Sequence, residues 1–238
     1  MLSIIFPTKQ EEKYIADAVK QFKDLSVPHE VIVSDGRSTD KTVEVARALA
    51  DKVIVYQGEH HNPGIGRNDG AREARGDFLL FLDADTRLPN ANQFVQDALA
   101  HFERDPKLVA LAFPQHTLPE LEKFMDKIVF GIDNLNMRVR NNFLHSGWAC
   151  GKCMLIRKRA FDAVGGFNTK LVFGEDWDLY TRLAKIGGTL FVPNLPYYHF
   201  ARRLHKLGPL RFWWTWGVNW ASVAFSGKAR AKEWTPVR

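Results

Sequence analysis

The sequence predicts an α/β fold built on a mostly parallel sheet flanked by helices. Three observations carry that expectation. Short apolar runs recur through the first half of the chain, amphipathic stretches separate them, and two cysteines are too few for a disulfide scaffold. The runs are Leu2–Phe6, Val31–Ser34, Val53–Tyr56, Phe78–Leu82 and Leu108–Phe113. They are nearly continuous rather than alternating, as strands covered on both faces must be. Glu11–Lys23, Lys41–Ala50, Ile65–Ala74 and Ala91–Phe102 read as the intervening helices, the second supported by valines and alanines at helical spacing. Right-handed crossovers through such helices make neighbouring strands parallel. Ligands then bind beyond the carboxyl ends of the strands.

After Pro114 the pattern changes. Leu121, Phe124, Met125, Ile128, Val129, Ile132 and Leu135 mark one face of a long helix. Trp148–Arg157 reads as a strand, followed by a Gly165-Gly166 turn, a helix with an acidic start (Glu175–Ala184) and a strand at Thr189–Val192. No repeat or linker divides the chain. One domain over residues 1–200 is expected, with a nucleotide-binding half (1–113), an acceptor-side half (114–200) and an aromatic, basic, helical tail (201–238).

The 238 residues are 45% hydrophobic, enough for one sizeable core. Lys and Arg number 33 against 27 Asp and Glu, a formal net charge of +6. That excess suits phosphate-bearing ligands or an anionic membrane surface. The cations form no concentrated stripe, which ranks nucleic acid last. Met1 leads directly into an apolar run, with neither a basic region nor a cleavage site, so a cytoplasmic location is expected.

Asp83 and Asp85 directly follow the most apolar run. Two carboxylates one residue apart at a strand end suit one hard cation, Mg²⁺ or Mn²⁺, and leave coordination sites for substrate phosphates. By themselves they fit a solvated turn equally well. Upstream, Asn62–Gly70 opens a helix with several glycines and Arg67, whose guanidinium suits a base, ribose or phosphate. Asp35 ends the second run, where an acid can bind ribose or base. Ser38, Thr39 and Asp40 read as caps of the next helix.

Four segments occur in an order that resembles family 2 glycosyltransferases: IIFPTKQEEKYI (4–15), EVIVSDGRSTDKT (30–42), GIGRNDGAREARGDFLLFLDADT (64–86) and GGFNTKLVFGEDWDLYTRLAKIGG (165–188). Members of that family are inverting enzymes with the GT-A fold. The resemblance spans about four-fifths of the chain. It implies that Pro7, Thr8, Glu11 and Asp35 line a nucleotide-sugar pocket beside Arg67. It implies that Asp83 and Asp85 serve the ribose, the diphosphate and a divalent metal, Asp85 being the direct ligand. Glu175-Asp176 matches the family's acidic pair, whose aspartate is the usual base. The chain departs in carrying Gln10 where the family has Asn. It also lacks the Gln-x-x-Arg-Trp motif of processive synthases, which argues against polymer synthesis.

The chemistry uses these residue types. Breaking a sugar–diphosphate bond leaves charge on the nucleotide, which a metal at Asp85 neutralises. A hydroxyl acceptor must lose a proton, for which Asp176 is the candidate base; an acid at a helix start also serves the helix dipole. A polyprenyl phosphate acceptor at a membrane surface would need no base. A nucleotidyltransferase, releasing pyrophosphate, and a non-catalytic sugar-nucleotide-binding protein are the other readings. The expected partners are thus a nucleotide-diphosphate sugar and a carbohydrate or lipid-linked acceptor. His199 stands where some GT-A enzymes place a further metal ligand, although a histidine amid aromatics is commonly a packed one. Arg202 and Arg203 are candidate diphosphate clamps.

Cys150 and Cys153 form a CxxC without the second ligand pair that structural zinc requires. His60-His61 reads as loop. In the tail, Phe212, Trp213, Trp214, Trp216, Trp220 and Phe225 are flanked by Arg211, Lys228, Arg230 and Lys232. That composition suits a membrane interface, a cover over the acceptor cleft or a subunit contact, and is too short and interrupted for a span.

Overall fold

The computed structural model describes residues 1–58 and 61–226. His60, Lys228, Arg230 and Lys232 lie outside the described residues, as do the side chains of Trp220 and Phe225. The first half comprises β1 (Leu2–Thr8), α1 (Ile15–Lys20), β2 (His29–Asp35), α2 (Thr42–Arg47), β3 (Lys52–Val55), α3 (Pro63–Glu73) and β4 (Phe78–Leu82). Next come β5 (Thr86–Arg87), α4 (Ala91–Arg104), β6 (Leu108–Ala112), β7 (Gln115–Thr117) and α5 (Phe124–Arg138), which runs into a π turn at Val139–Phe143. The remainder is β8 (Cys153–Arg157), α6 (Lys158–Ala163), α7 (Glu175–Leu183), β9 (Gly188–Phe191), β10 (Tyr197–His199), α8 (Arg202–Leu207) and α9 (Pro209–Ser226).

Seven strands form one sheet in the order β3-β2-β1-β4-β8-β6-β9. β3, β2, β1 and β4 are parallel, whereas β8 runs antiparallel between β4 and β6. The mostly parallel α/β architecture is therefore as expected. A three-stranded sheet, β5-β10-β7, was not foreseen. It starts just past the carboxyl ends of β4 and β6.

Successive strand side chains point to opposite faces, so continuous apolar runs supply two cores. Ile4, Phe6, Leu80 and Leu82 join Phe22, Phe94 and Phe102 on one face. Ile5, Leu79, Phe81 and Met154 join Phe161, Trp177 and Tyr180 on the other. α3 lies close against this second face. A Cβ on Gly70 would stand 2.4 Å from Ile5 Cγ2, so glycine sets that approach.

Four local expectations change. The helix expected over Glu11–Lys23 forms only at Ile15–Lys20, because the preceding backbone binds elsewhere. Glu11 N donates to Thr42 Oγ1 and Glu12 N to an Asp40 carboxylate oxygen. Asp40 also accepts from Thr42 N, while Ser38 and Thr39 bond Gln10 rather than cap α2. The strand expected from Trp148 begins only at Cys153. Asn141 bonds both backbone groups of Trp148, and Gly151 N donates to Asp176, drawing 148–152 out of the sheet. Finally, most of the apolar stripe from Leu121 to Leu135 faces water, Val129 being the buried exception.

Candidate active site

One cavity of about 560 Å³ gathers nearly every residue singled out from the sequence. Pro7, Thr8 and Glu11 line it from β1 and the following loop, and Arg67 from α3. Asp83 and Asp85 line it beyond β4, Glu175 and Asp176 from α7, and His199, Arg202 and Arg203 from the segment after β9. Asp35 stands apart. It is fully buried behind the wall, its carboxylate accepting from Thr8 Oγ1 at 2.9 Å and from Ser38 N and Oγ. Thr8 thus links Asp35 to the cavity.

Arg67 is almost wholly buried. Asn62 caps its helix by accepting from Ile65 N, with Pro63 in the first turn. The guanidinium NH1 donates to Glu175 Oε1 at 2.8 Å. NH2 donates to Asp83 Oδ1 at 3.2 Å and to Gly151 O at 2.9 Å. Burial works against its charge, but Asp83, Glu175 and Asp176 together hold its pKa above the ordinary value. Arg67, which lines the cavity, joins the two acidic motifs.

α7 starts at Gly174, whose φ of 80° lies in the left-handed region where glycine carries no Cβ penalty. Asp176 Oδ2 accepts from Gly151 N at 2.7 Å, and Oδ1 from Trp177 N at 2.9 Å. Burial, then the neighbouring Glu175 charge, pushes the Asp176 pKa up to about 7, against the pull of Arg67 and both backbone bonds. A Cβ on Gly151 would come within 2.9 Å of Arg67 NH2 and 3.2 Å of Asp176 Oδ2.

Arg202 closes the other end. Its Nε donates to Asp85 Oδ2 at 2.8 Å, while NH1 and NH2 each reach a Glu11 carboxylate oxygen at 3.1 Å. Burial disfavours its charge, but Asp85 and Glu11 outweigh that effect and raise its pKa. Ala201, at φ 50°, aims the arginine inward from a conformation that L-residues rarely adopt.

Asp83 and Asp85 offer oxygen donors on one wall. Burial, then repulsion from Asp85, raises the Asp83 pKa despite Arg67. A cation would relieve that repulsion, so the pair fits a hard divalent ion. Among the described residues no group of three His, Cys, Asp or Glu side chains forms a ready-made cage. His199 lines the same cavity; its Nδ1 accepts from Ala201 N at 2.9 Å, and its buried Nε2 has no hydrogen-bond partner among the described residues. Burial, helped by Lys152, His116, His205 and Arg202, drives its pKa well down and keeps the ring neutral.

Residues not foreseen complete the cavity wall. Lys152 Nζ lies 3.3 Å from Gln115 Oε1, and Gln115 Nε2 donates to Asp133. Asp133 is pushed up to about 6, chiefly by desolvation. Trp148 stacks on Trp177 at 4.5 Å, and Trp177 meets Trp216 and Phe173 edge-on. His61 also lines the cavity, packed 5.3 Å from Tyr56. Cys150 and Cys153 are buried free thiols whose pKa values burial raises.

The sheet, the acids at its carboxyl edge and the acidic start of α7 are the GT-A arrangement of sugar-nucleotide enzymes. The family model described as Glycosyl transferase family 2 matches residues 3–165, and the chain belongs to that family. A second model, described as the N-terminal domain of galactosyltransferase, matches residues 137–206. A dolichyl N-acetyl-α-D-glucosaminyl phosphate 3-β-D-2,3-diacetamido-2,3-dideoxy-β-D-glucuronosyltransferase of Methanococcus voltae is 25% identical over 84% of this chain and 67% of its own length. The succinoglycan biosynthesis protein ExoA of Rhizobium meliloti is 27% identical over 96% of this chain and 68% of its own. The mannosyltransferase PcManGT of Pyrobaculum calidifontis, solved with GDP-Man and Mn²⁺, superposes with a TM-score of 0.70 at 19% identity, over 96% of this chain and 65% of that one. The chain thus spans about two-thirds of the length of these three proteins.

Proposed function

We propose that this chain transfers a sugar, with inversion, from a nucleotide-diphosphate sugar to a hydroxyl acceptor, Asp176 being the general base. The observation that carries the reading is the pair of acidic motifs held by one arginine on one cavity. Asp83 faces that cavity from the strand edge and Asp176 from α7, with Arg67 bonded to Asp83 and to Glu175 beside the base. Membership of glycosyltransferase family 2 and the likeness to a fold solved with GDP-Man and Mn²⁺ support it.

In this reading Pro7, Thr8, Glu11 and Asp83 border the nucleotide. Asp35 acts through Thr8, which it positions. Asp83 and Asp85 would hold Mg²⁺ or Mn²⁺, which supplies Lewis-acid stabilisation of the departing diphosphate. Arg202 and Arg203 stand on the same wall with the charge to bind phosphate oxygens. Asp176 takes the proton of the attacking hydroxyl, and its pKa of about 7 suits proton transfer near neutrality. Gly151 N and Trp177 N fix the carboxylate plane while it does so. Trp148, Trp177 and Trp216 offer flat apolar faces to an acceptor sugar, with Asp133 and Gln115 beside them for its hydroxyls.

A thermal-shift panel of nucleoside diphosphates and their sugars, with and without Mn²⁺, tests the donor side. A metal-dependent rise for one sugar nucleotide, followed by release of its nucleoside diphosphate with acceptor present, is the expected result. Pyrophosphate release instead would indicate a nucleotidyltransferase and overturn the reading.

A further inference from the structure

The apolar side chains that water reaches are concentrated in two stretches. Of 15 exposed large hydrophobic residues among those described, nine lie between Leu121 and Leu144 and three between Leu210 and Trp214. Phe124, Ile128, Ile132, Leu135 and Val139 recur at spacings of three and four, so they form one stripe along α5 and into its π turn. Phe143 and Leu144 prolong it. The opposite side of α5 is packed: Val129 and Phe130 meet Leu204 and Phe212, with Trp216 against them. That small core ties α5 to α8 and α9, while Leu210, Trp213 and Trp214 of α9 stay exposed.

Most of the surface charges of these stretches are cations. Lys123, Lys127, Arg138, Lys206 and Arg211 are exposed. The only acids in 123–145 are Asp126 and Asp133, and 201–226 has none. Asp126 is buried and bonded to His205 at 2.7 Å, and Asp133 lines the cavity. Glu122, at the start of the first stretch, is paired with Lys127. The same elements border the cavity, for Ile132 of the stripe and Trp213 of α9 both belong to its wall.

We propose that this face seats the chain on the surface of an anionic lipid bilayer, with α5 lying in the headgroup layer. An apolar stripe bordered by cations and tryptophans has the composition of an interfacial helix. Juxtaposed lysines and arginines gain attraction from anionic headgroups. A second copy of this chain meeting the face symmetrically would set cation against cation with almost no acid between them. No described helix is long and apolar enough to cross a membrane, so the contact lies in the plane of the surface. Taken with the proposed transfer reaction, on which this consequence rests, the cavity mouth faces the bilayer and receives an acceptor hydroxyl carried on an apolar chain.

The test is flotation of the full chain with vesicles of phosphatidylcholine alone and with added phosphatidylglycerol. It requires no catalysis, so it stands whether or not the transfer reaction does. Binding should need the anionic lipid, weaken with salt, and fall more than about tenfold in Phe124→Glu/Ile128→Glu, two exposed positions outside the cavity wall. Leu49→Glu, an exposed apolar residue elsewhere, should float like the parent. Thermal melts of each variant exclude unfolding as the cause. Failure of the parent to float, or equal flotation of the double variant, overturns the proposal. So does light scattering that finds a dimer which the double variant separates, since the face is then a contact between copies.

Discussion

Arg67 and Glu175 form a 2.8 Å ion pair across 108 positions of sequence, and through it α3 is fastened to α7. The same guanidinium reaches Asp83, so three formal charges share one buried volume with a single cation among them. Removing that cation leaves the carboxylates unopposed. Arg67→Met is expected to cost about 3–5 kcal/mol in urea denaturation. Adding Glu175→Gln should recover part of the loss, since the second change removes the charge that the first leaves buried. Strict additivity of the two changes would mean that the pair is not coupled.

Asp176 makes a kinetic prediction. Its carboxyl sits near 7, raised first by burial and then by Glu175, and only the ionised form accepts a proton. Transfer rate should therefore climb as pH rises through about 7 and level off above it. Asp176→Asn should lower kcat about a hundred- to ten-thousandfold and erase that acid limb. The linkage to stability has the opposite sense. Between the ordinary carboxylate value and about 7 the folded state holds a proton that the unfolded chain has released, so this group's contribution falls with rising pH in that window.

At the other end of the cavity, Arg202 bonds the Asp85 and Glu11 oxygens, and a divalent ion in the proposed metal site would compete with it. With Asp85 and Glu11 released by Arg202→Ala, Mn²⁺ binding without donor should tighten roughly three- to tenfold, read from the free-ion EPR signal. Asp85→Asn should abolish most of it. Unchanged Mn²⁺ affinity in both variants would remove Asp85 from the metal site. Stripping the metal with EDTA should suppress transfer, with recovery on adding Mn²⁺ or Mg²⁺.

Gly70 tests the packing of α3. Alanine is the better helix former by about 1 kcal/mol, yet its Cβ would sit 2.4 Å from Ile5 Cγ2. Gly70→Ala should lower stability by about 1–3 kcal/mol, the overpacking outweighing the propensity. A thermal midpoint at or above that of the parent would show that β1 yields there.

The sheet was legible because strands buried on both faces leave continuous apolar runs, and all five found in the first half of the chain formed. β5, β7 and β10 have only two or three residues each, too few for any period to register. The charged residues of the cavity wall were legible where their motifs are local, as in Asp83-Ala84-Asp85 and Glu175-Asp176. Gln115, Asp133 and Lys152 carry no such mark, since they meet only through the placing of α5 against β7 and the loop before β8. Arg67 was singled out but its partners were not, lying 16, 84 and 108 positions away. The α5 stripe revealed a helix correctly; periodicity carries no information on whether protein or water meets the stripe.

Gly151 touches both halves of the cavity through its backbone alone, its carbonyl to Arg67 and its amide to Asp176. Any side chain there would push against both partners at once. Trp148, three positions earlier along the loop, meets the cavity by its side chain, which stacks on Trp177, while its backbone bonds to Asn141 do not depend on that side chain. A laboratory selection for new acceptors should therefore recover varied residues at position 148 and return glycine at 151 in every surviving clone. Catalytic heritage and acceptor novelty would then be separated by two residues of one loop.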